Sequence, residues 1–296
     1  MRYLPEVEAI RSFDMVAQEL NFRRAAERLG IDHSALSRRI RELEHRLGFA
    51  LFERSTREVK LTQAGKVFLE ENASLLRALQ RSVENARMVA EGRSGLVRIG
   101  YMSFAAADLL PSLIAQFQAL RPDVRFKLTY LRSHAQKEAL SRGDIDVGLM
   151  IGPWRNEMFD TVTLARDPLC VFYAEGSAHA PKGRIGIKSL SGAPLIMGSL
   201  EQWDLYRWML DDMFLRKGIV PNVTLEASSI TGILGLVGAG LGVSLFPDCI
   251  ANLCPPGIRR RALKDVDLFI ETIGVAPRRR PPLVDDFLVM LSSRAA

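Results

Sequence analysis

The sequence predicts two differently built regions: an all-α N-terminal part, arranged as a winged helix-turn-helix followed by one long linking helix, and an α/β part with a mostly parallel sheet. Three observations carry this. Up to about residue 92 there is a single proline, Pro5, and apolar residues recur every three or four positions, the period of amphipathic helices. From Leu96 onward, short β-rich apolar runs at 97–101, 124–130, 147–151, 169–173, 194–197, 243–247 and 268–276 alternate with helical stretches, the texture of an α/β domain. Between the two lies Glu91-Gly92-Arg93-Ser94-Gly95, polar and glycine-bearing, suited to a hinge. The expected domains are 1–62, a linking helix over 63–92, and 93–296.

Composition narrows the classes. A chain of 296 residues is long enough for two or three cores. Lys and Arg number 40 against 34 Asp and Glu, a net +6 that fits a polyanionic partner without demanding one. The first 62 residues hold 12 basic and 10 acidic side chains, so a nucleic-acid reading rests on where the arginines sit. No apolar run approaches the roughly 20 residues of a membrane span, and Arg2, Glu6 and Glu8 interrupt the N-terminus, so a cytoplasmic chain without membrane association is expected. Three cysteines at irregular spacing, Cys170, Cys249 and Cys254, fit a reducing compartment.

Asn21-Phe22-Arg23-Arg24-Ala25-Ala26-Glu27-Arg28-Leu29 reads as a short helix capped by Asn21, followed by the turn Gly30-Ile31-Asp32 and a second helix to about Leu47. Ala25 and Ala26 allow close helix packing and Gly30 the chain reversal, which is helix-turn-helix spacing. Asp32 is the expected N-cap of the second helix. Leu36, Ile40, Leu43 and Leu47 form its buried stripe and leave His33, Ser34, Ser37, Arg38, Arg39 and Arg41 for the other side. In a major groove those arginines suit phosphates and guanine edges, with His33 and Ser34 in reach of neighbouring bases. Asn21, Arg23 and Arg24 join the candidate DNA contacts. The plainer reading is a solvated basic face, and the helix-turn-helix frame favours the groove. Residues 51–62 then hold two short extended runs around a charged turn, the wing, with Arg54 placed for a phosphate and Arg57 for the minor groove.

The run from Phe22 to Thr62 resembles the DNA-binding domain of LysR-type transcriptional regulators. The resemblance rests on Ala25-Ala26-Glu27-Arg28-Leu29, Leu36-Ser37-Arg38-Arg39-Ile40-Arg41-Glu42-Leu43-Glu44, Leu47-Gly48, Leu51-Phe52-Glu53-Arg54 and Leu61-Thr62-Gln63-Ala64-Gly65. Asp32-His33-Ser34-Ala35 stands where that family often shows Ser-Gln-Pro, so the helix frame carries over and the base preference does not. From Gln63 to Glu91 a seven-residue repeat sets Leu69, Leu76, Val83 and Ala90 in one row, with Asn72, Leu79 and Ala86 beside it. Such a seam implies a paired helix, with Leu69, Leu76, Leu79, Val83 and Ala86 as contacts and Asn72 setting register. The alternative is an amphipathic helix packed on its own domain. The resemblance implies an antiparallel helix pair with a second subunit, a homotetramer built as a dimer of dimers, an activator's role, and RNA polymerase as a further partner.

Read alone, the region after Gly95 is an open doubly wound sheet with its ligand at strand C-terminal ends. The resemblance continues through Gly100, Leu109-Leu110-Pro111, Gly143-Asp144-Ile145-Asp146-Val147-Gly148, residues 235–243 and Phe246-Pro247. It implies two lobes like those of periplasmic binding proteins, lobe I at 93–166 and 269–296 and lobe II at 167–268, with crossovers near 165–168 and 265–269 and an effector in the cleft between. Ser103, Ser133, Ser199, and Ser229 with Thr231 follow strands and open helices, where free N–H groups and hydroxyls suit a carboxylate or another small anion; each Ser taken singly reads as a helix cap. Met102, Phe104, Trp203 and Phe246 are candidate apolar walls for an aromatic or branched acid, or else plain core.

Other signals point nowhere specific. Gly238-Ala239-Gly240-Leu241-Gly242 follows a helix and precedes a strand, the reverse of a dinucleotide fingerprint. The four histidines lack partners at ligand spacing, so neither metal nor cofactor is expected, and no local motif suggests an enzyme. Arg259-Arg260-Arg261 and Arg278-Arg279-Arg280 read as solvated loops, with bent DNA or another subunit as the alternative. Cys249 and Cys254 leave thiol-based redox sensing as the alternative effector step. The expectation is a sequence-specific regulator that binds double-stranded DNA and senses a small anionic effector.

Overall fold

Helical apolar spacing closes the N-terminal core: Phe13 and Val16 of α1 (Val7–Glu19), Ala25 and Ala26 of α2 (Phe22–Leu29), and Leu36, Ile40 and Leu43 of α3 (His33–Leu47) are buried together with Leu51 and Phe52. The computed structural model describes residues 4–54, 58–90, 95–181 and 185–295, and the chain divides into two units, one ending at Glu91 and one beginning at Gly92. The expected hinge residues 91–94 lie outside the described residues. The Asn21 side chain accepts the N–H groups of Arg23 and Arg24 at 3.0 and 3.1 Å, which satisfies two free donors of α2. Gly30 ends that helix at φ 65°, a left-handed conformation that favours glycine. Asp32 occupies the N-cap of α3 but makes no side-chain cap bond, so its backbone carbonyl, not its carboxylate, starts the helix.

The wing is an antiparallel pair, β1 (Phe52–Arg54) and β2 (Val59–Leu61), with Phe52 opposite Leu61. Glu44 of α3 accepts the N–H groups of Leu51 and Phe52 at 2.8 and 3.1 Å and so fixes the wing to that helix. Thr62 then caps α4 (Gln63–Ala90), accepting the Gly65 N–H at 2.9 Å. The first turns of α4 pack on the core through Phe68 and Leu69. Leu69 is thus half-buried against its own domain, and Asn72 bonds back to the Phe68 carbonyl at 2.8 Å. Further along, Leu76 is half-buried, while Leu79 and Val83 are exposed with Leu75 and Ala86.

The second unit runs β3 (Leu96–Tyr101), α5 (Ser103–Ala107), α6 (Leu109–Leu120), β4 (Arg125–Tyr130), α7 (Ser133–Arg142), β5 (Val147–Ile151) and β6 (Phe159–Ala174). It continues with β7 (Leu195–Gly198), α8 (Leu200–Arg216), β8 (Val223–Ala227), α9 (Ile230–Gly238), β9 (Ser244–Pro247), β10 (Ile258–Ala262), β11 (Phe269–Pro277) and α10 (Pro282–Ala295). In the first lobe β4, β3 and β5 are parallel neighbours in that order, and β11 and β6 follow as antiparallel strands. In the second lobe β9 and β10 pair with β6, and β7 pairs with β8 in parallel.

The sheet is thus more antiparallel than the sequence suggests. The crossover expected near 165–168 is part of β6 itself, paired with β11 from Phe159 to Pro168, so the lobes are joined by hydrogen-bonded strands. β8 and β10 are strands without a sequence signal, β8 being short and partly polar and β10 carrying three consecutive arginines. Arg259, Arg260 and Arg261 lie on β10, an edge strand, with Arg259 held by Glu175 and Arg260 by Asp248; Arg280 is held by Asp160 and Asp285. Charged side chains on an edge strand block further pairing, so the first triplet is part of a strand and not a loop, whereas Arg278-Arg279-Arg280 lies in the loop between β11 and α10. No helix among the described residues is long and apolar enough to cross a membrane.

A Cβ at Gly65 would stand 2.1 Å from the Leu51 carbonyl oxygen, which already accepts the Thr62 N–H. Gly65→Ala is expected to destabilise the N-terminal unit by about 1–3 kcal/mol, read as a lower first midpoint in thermal unfolding of the full chain.

Candidate functional site

On α3 the residues opposite the core stripe are Ser34, Arg38 and Arg41, spaced i, i+4 and i+7 along one exposed face. Arg38 and Arg41 have no carboxylate partner among the described residues. Arg39 differs: its guanidinium donates to Ser12 Oγ at 2.9 Å and lies 3.9 Å from Glu8, so it braces α3 on α1. Ser37, expected on the outward side, is buried at 8% exposure beside the core stripe, because position 37 lies next to Leu36 and Ile40 on the helix. His33 is exposed, with its ring at a steep angle to that of Phe22. Asn21 is engaged as a cap. Arg23 pairs with Glu27 on the surface and Arg24 with the partly buried Glu19. Arg57 lies outside the described residues, as does the side chain of Arg54.

In the second unit a cleft of about 390 Å³ opens at the C-terminal ends of β3, β4 and β5. The connections from β3 to β4 and from β4 to β5 run to opposite sides of β3, which leaves a crevice at this end of the sheet. Met102, Ser103, Phe104, Tyr130, Arg132, Ser133 and Ile151 line it from the first lobe, and Gln202, Trp203, Asp204, Leu205 and Tyr206 from the second. Ser103 Oγ and Tyr130 Oη share a hydrogen bond of 3.1 Å. Ser133 Oγ accepts the Ile151 N–H at 3.1 Å, which ties the start of α7 to the end of β5. Arg132 donates from the first lobe to the Glu201 carbonyl of the second.

The floor is aromatic. Phe104 meets Tyr206 edge-on at 4.9 Å, and Tyr206 lies parallel to Phe246 at 6.4 Å. The Trp203 ring sits over Gly198, where any Cβ would lie 2.2 Å from it, and its indole N–H donates to the Ser228 carbonyl at 3.1 Å. That seat pulls Trp203 out of helical geometry (φ −122°, ψ 21°) and kinks α8, which turns residues 202–206 toward the cleft. Burial pushes the Tyr206 hydroxyl well above its ordinary range, and it stays a neutral donor to the Leu245 carbonyl.

The structure brings together Met102, Ser103, Phe104, Ser133 and Trp203 of the residues expected from the sequence, and sets others apart. Phe246 is 1% exposed and supports Trp203 and Tyr206 from behind. Ser199 precedes α8 outside the cleft lining, Ser229 caps α9 by accepting the Gly232 N–H at 3.1 Å, and exposed Thr231 is also absent from the lining. Strand-end reasoning missed Tyr130 and Arg132, although both stand at the end of β4, where it should have applied. Gln202, Asp204, Leu205 and Tyr206 depend on the kink and left no sequence signal.

Comparison with known proteins gives concordant matches. Residues 7–66 match the family profile described as bacterial regulatory helix-turn-helix protein, lysR family, and residues 90–296 match the LysR substrate binding domain. The chain is 33% identical over 298 residues to the Hca operon transcriptional activator HcaR of Escherichia coli (strain K12), with 98% of each chain covered. It superposes on full-length CbnR complexed with target DNA with a TM-score of 0.75 at 24% identity, covering 99% of this chain and 100% of that one. It also superposes on the BenM effector binding domain with its effector benzoate, with a TM-score of 0.61 at 20% identity, covering 68% of this chain and 92% of that one.

The cysteines offer no support for redox chemistry. All three are free thiols. Burial, with Asp248 accepting its hydrogen bond, pushes the Cys170 thiol up to about 12. Burial and neighbouring Asp167 also raise Cys249, and burial raises Cys254. Thiols so raised stay protonated at neutral pH and react poorly. Alkylation of the native chain with iodoacetamide at pH 8 is therefore expected to leave Cys170 and Cys249 unmodified, with full labelling after unfolding, as mass spectrometry of the peptides would report.

Proposed function

The chain belongs to the LysR family, DNA-binding transcriptional regulators with an effector-binding domain, and from that premise we propose that α3 reads the major groove while the cleft takes a small carboxylate-bearing effector. The observation that carries the first half is the exposed row Ser34, Arg38 and Arg41, whose arginines have no carboxylate partner among the described residues. Arg38 and Arg41 take guanine edges or phosphates, and His33 and Ser34 reach adjacent bases. Arg23, Arg24 and the wing arginines Arg54 and Arg57 hold the duplex backbone and minor groove.

For the second half, Arg132 beside the Ser103 and Tyr130 hydroxyls offers charge-assisted donors for a carboxylate, and Phe104 and Trp203 offer faces for a ring. Benzoate, the effector of the BenM domain, is of this chemical class. Self-association runs through α4, where Leu79, Val83 and Ala86 with exposed Leu75 meet a second copy, in a dimer of dimers that spaces two half-sites. Effector binding shifts the packing of the lobes and thereby the spacing or bend imposed on DNA, with activation through RNA polymerase in the cytoplasm.

A gel-shift titration on the DNA upstream of the protein's own gene tests the reading helix. Arg38→Ala is expected to weaken binding by about 1–3 kcal/mol and relax the preference at one base pair of each half-site. Arg39→Ala, which removes a brace to α1, is expected to lower stability with base preference retained. Unchanged affinity in an Arg38→Ala/Arg41→Ala double variant would sink the assignment.

A further inference from the structure

We infer that the effector is a zwitterion, a small single-ring acid that also carries a primary ammonium group, because Arg132 and Asp204 face one cleft from opposite lobes without pairing with each other. The inference rests on the reading of this cleft as the effector site. Elsewhere in the unit, opposite charges that come together close into ion pairs, as Arg142 does with Asp144, Arg207 with Glu226 and Arg260 with Asp248. Arg132 spends one donor on the Glu201 carbonyl, and Asp204 takes the adjacent Leu205 N–H on Oδ1 at 2.6 Å, which leaves Oδ2 to the cleft. Neither has an opposite charge within ion-pair distance among the described residues.

Polarity is divided between the lobes. The first brings the guanidinium of Arg132 and the Ser103–Tyr130 hydroxyl pair; the second brings the carboxylate of Asp204 and the amide of Gln202. A plain carboxylate on Arg132 would satisfy the first lobe and meet a like charge across the gap. An acid with an ammonium arm satisfies both, its carboxylate on Arg132 and its N–H donors on Asp204, and so ties the lobes together through the ligand. Between the charges the walls are Met102, Phe104, Ile151 and Trp203, which accept a ring.

Isothermal titration of the full-length protein with L-phenylalanine, 3-phenylpropionate and phenethylamine separates the contributions of ring, acid and amine. L-Phenylalanine is expected to bind at least about tenfold more tightly than 3-phenylpropionate, the increment of one charged hydrogen bond, and phenethylamine more weakly than either. Asp204→Asn, at an exposed position, is expected to erase that tenfold preference while 3-phenylpropionate binds no worse. Arg132→Gln is expected to remove binding of both acids, with thermal melts showing both variants folded. Equal or tighter binding of 3-phenylpropionate by the parent, a preference that survives Asp204→Asn, or failure of all three probes to bind would overturn the zwitterion. Acid binding that survives Arg132→Gln would instead overturn the placement of the effector in this cleft.

Discussion

The second unit depends on the pairing of β6 with β11. β6 runs without a break from Phe159 to Ala174, and its first ten residues form a ladder with β11, shifted by an irregularity at Thr272 and Ile273. The same strand then becomes the centre of the second lobe, flanked by β9 and β10. Two lobes that share a continuous ladder move by twisting or bending the shared strands, since separating those strands would break backbone hydrogen bonds. Small twists at the irregularity are the motion this geometry permits. The cleft exists because that ladder holds the ends of β3, β4 and β5 opposite the kinked start of α8.

Within the cleft, shape and charge come from different sources. The aromatic floor of Phe104, Tyr206 and Phe246 is core packing, and the first lobe's Met102 and Phe104 belong to the hydrophobic cluster of the second. That shared packing stiffens the base while the polar groups around the opening stay available. The kink at Trp203 follows from one close approach, a large ring over a glycine, and it is what turns Gln202 and Asp204 inward. In the N-terminal unit the charges are sorted by the same kind of local contact. Arg39 is consumed by Ser12, whereas Arg38, one position earlier and about 100° around the helix, is left to the outside.

Most of the secondary structure was legible in the residues. The period of Leu36, Ile40 and Leu43, the cap at Asn21 and the turn at Gly30 each lie within a few positions of the backbone they control. Ser103 and Ser133 were legible as cleft residues because the ends of parallel strands are a general place for ligands. Leu69 packs in part on its own domain, and a seven-residue repeat does not say whether a helix meets a partner or its own domain. β10 misled because an arginine-rich run on an edge strand carries no apolar alternation.

By itself, the sequence determined the helix-turn-helix with its wing, the long α4, the change to an α/β region at Leu96, and which strand ends carry hydroxyls. Those follow from propensity, capping and periodicity, which act over a single turn or a single strand. The tertiary structure alone decided which groups share the cleft. Arg132 and Glu201 stand 69 residues apart and meet only through the β6–β11 ladder, and Asp204 reaches the opening only through the kink beside Gly198. Contacts of that range are set by how whole elements pack, and no local pattern encodes them.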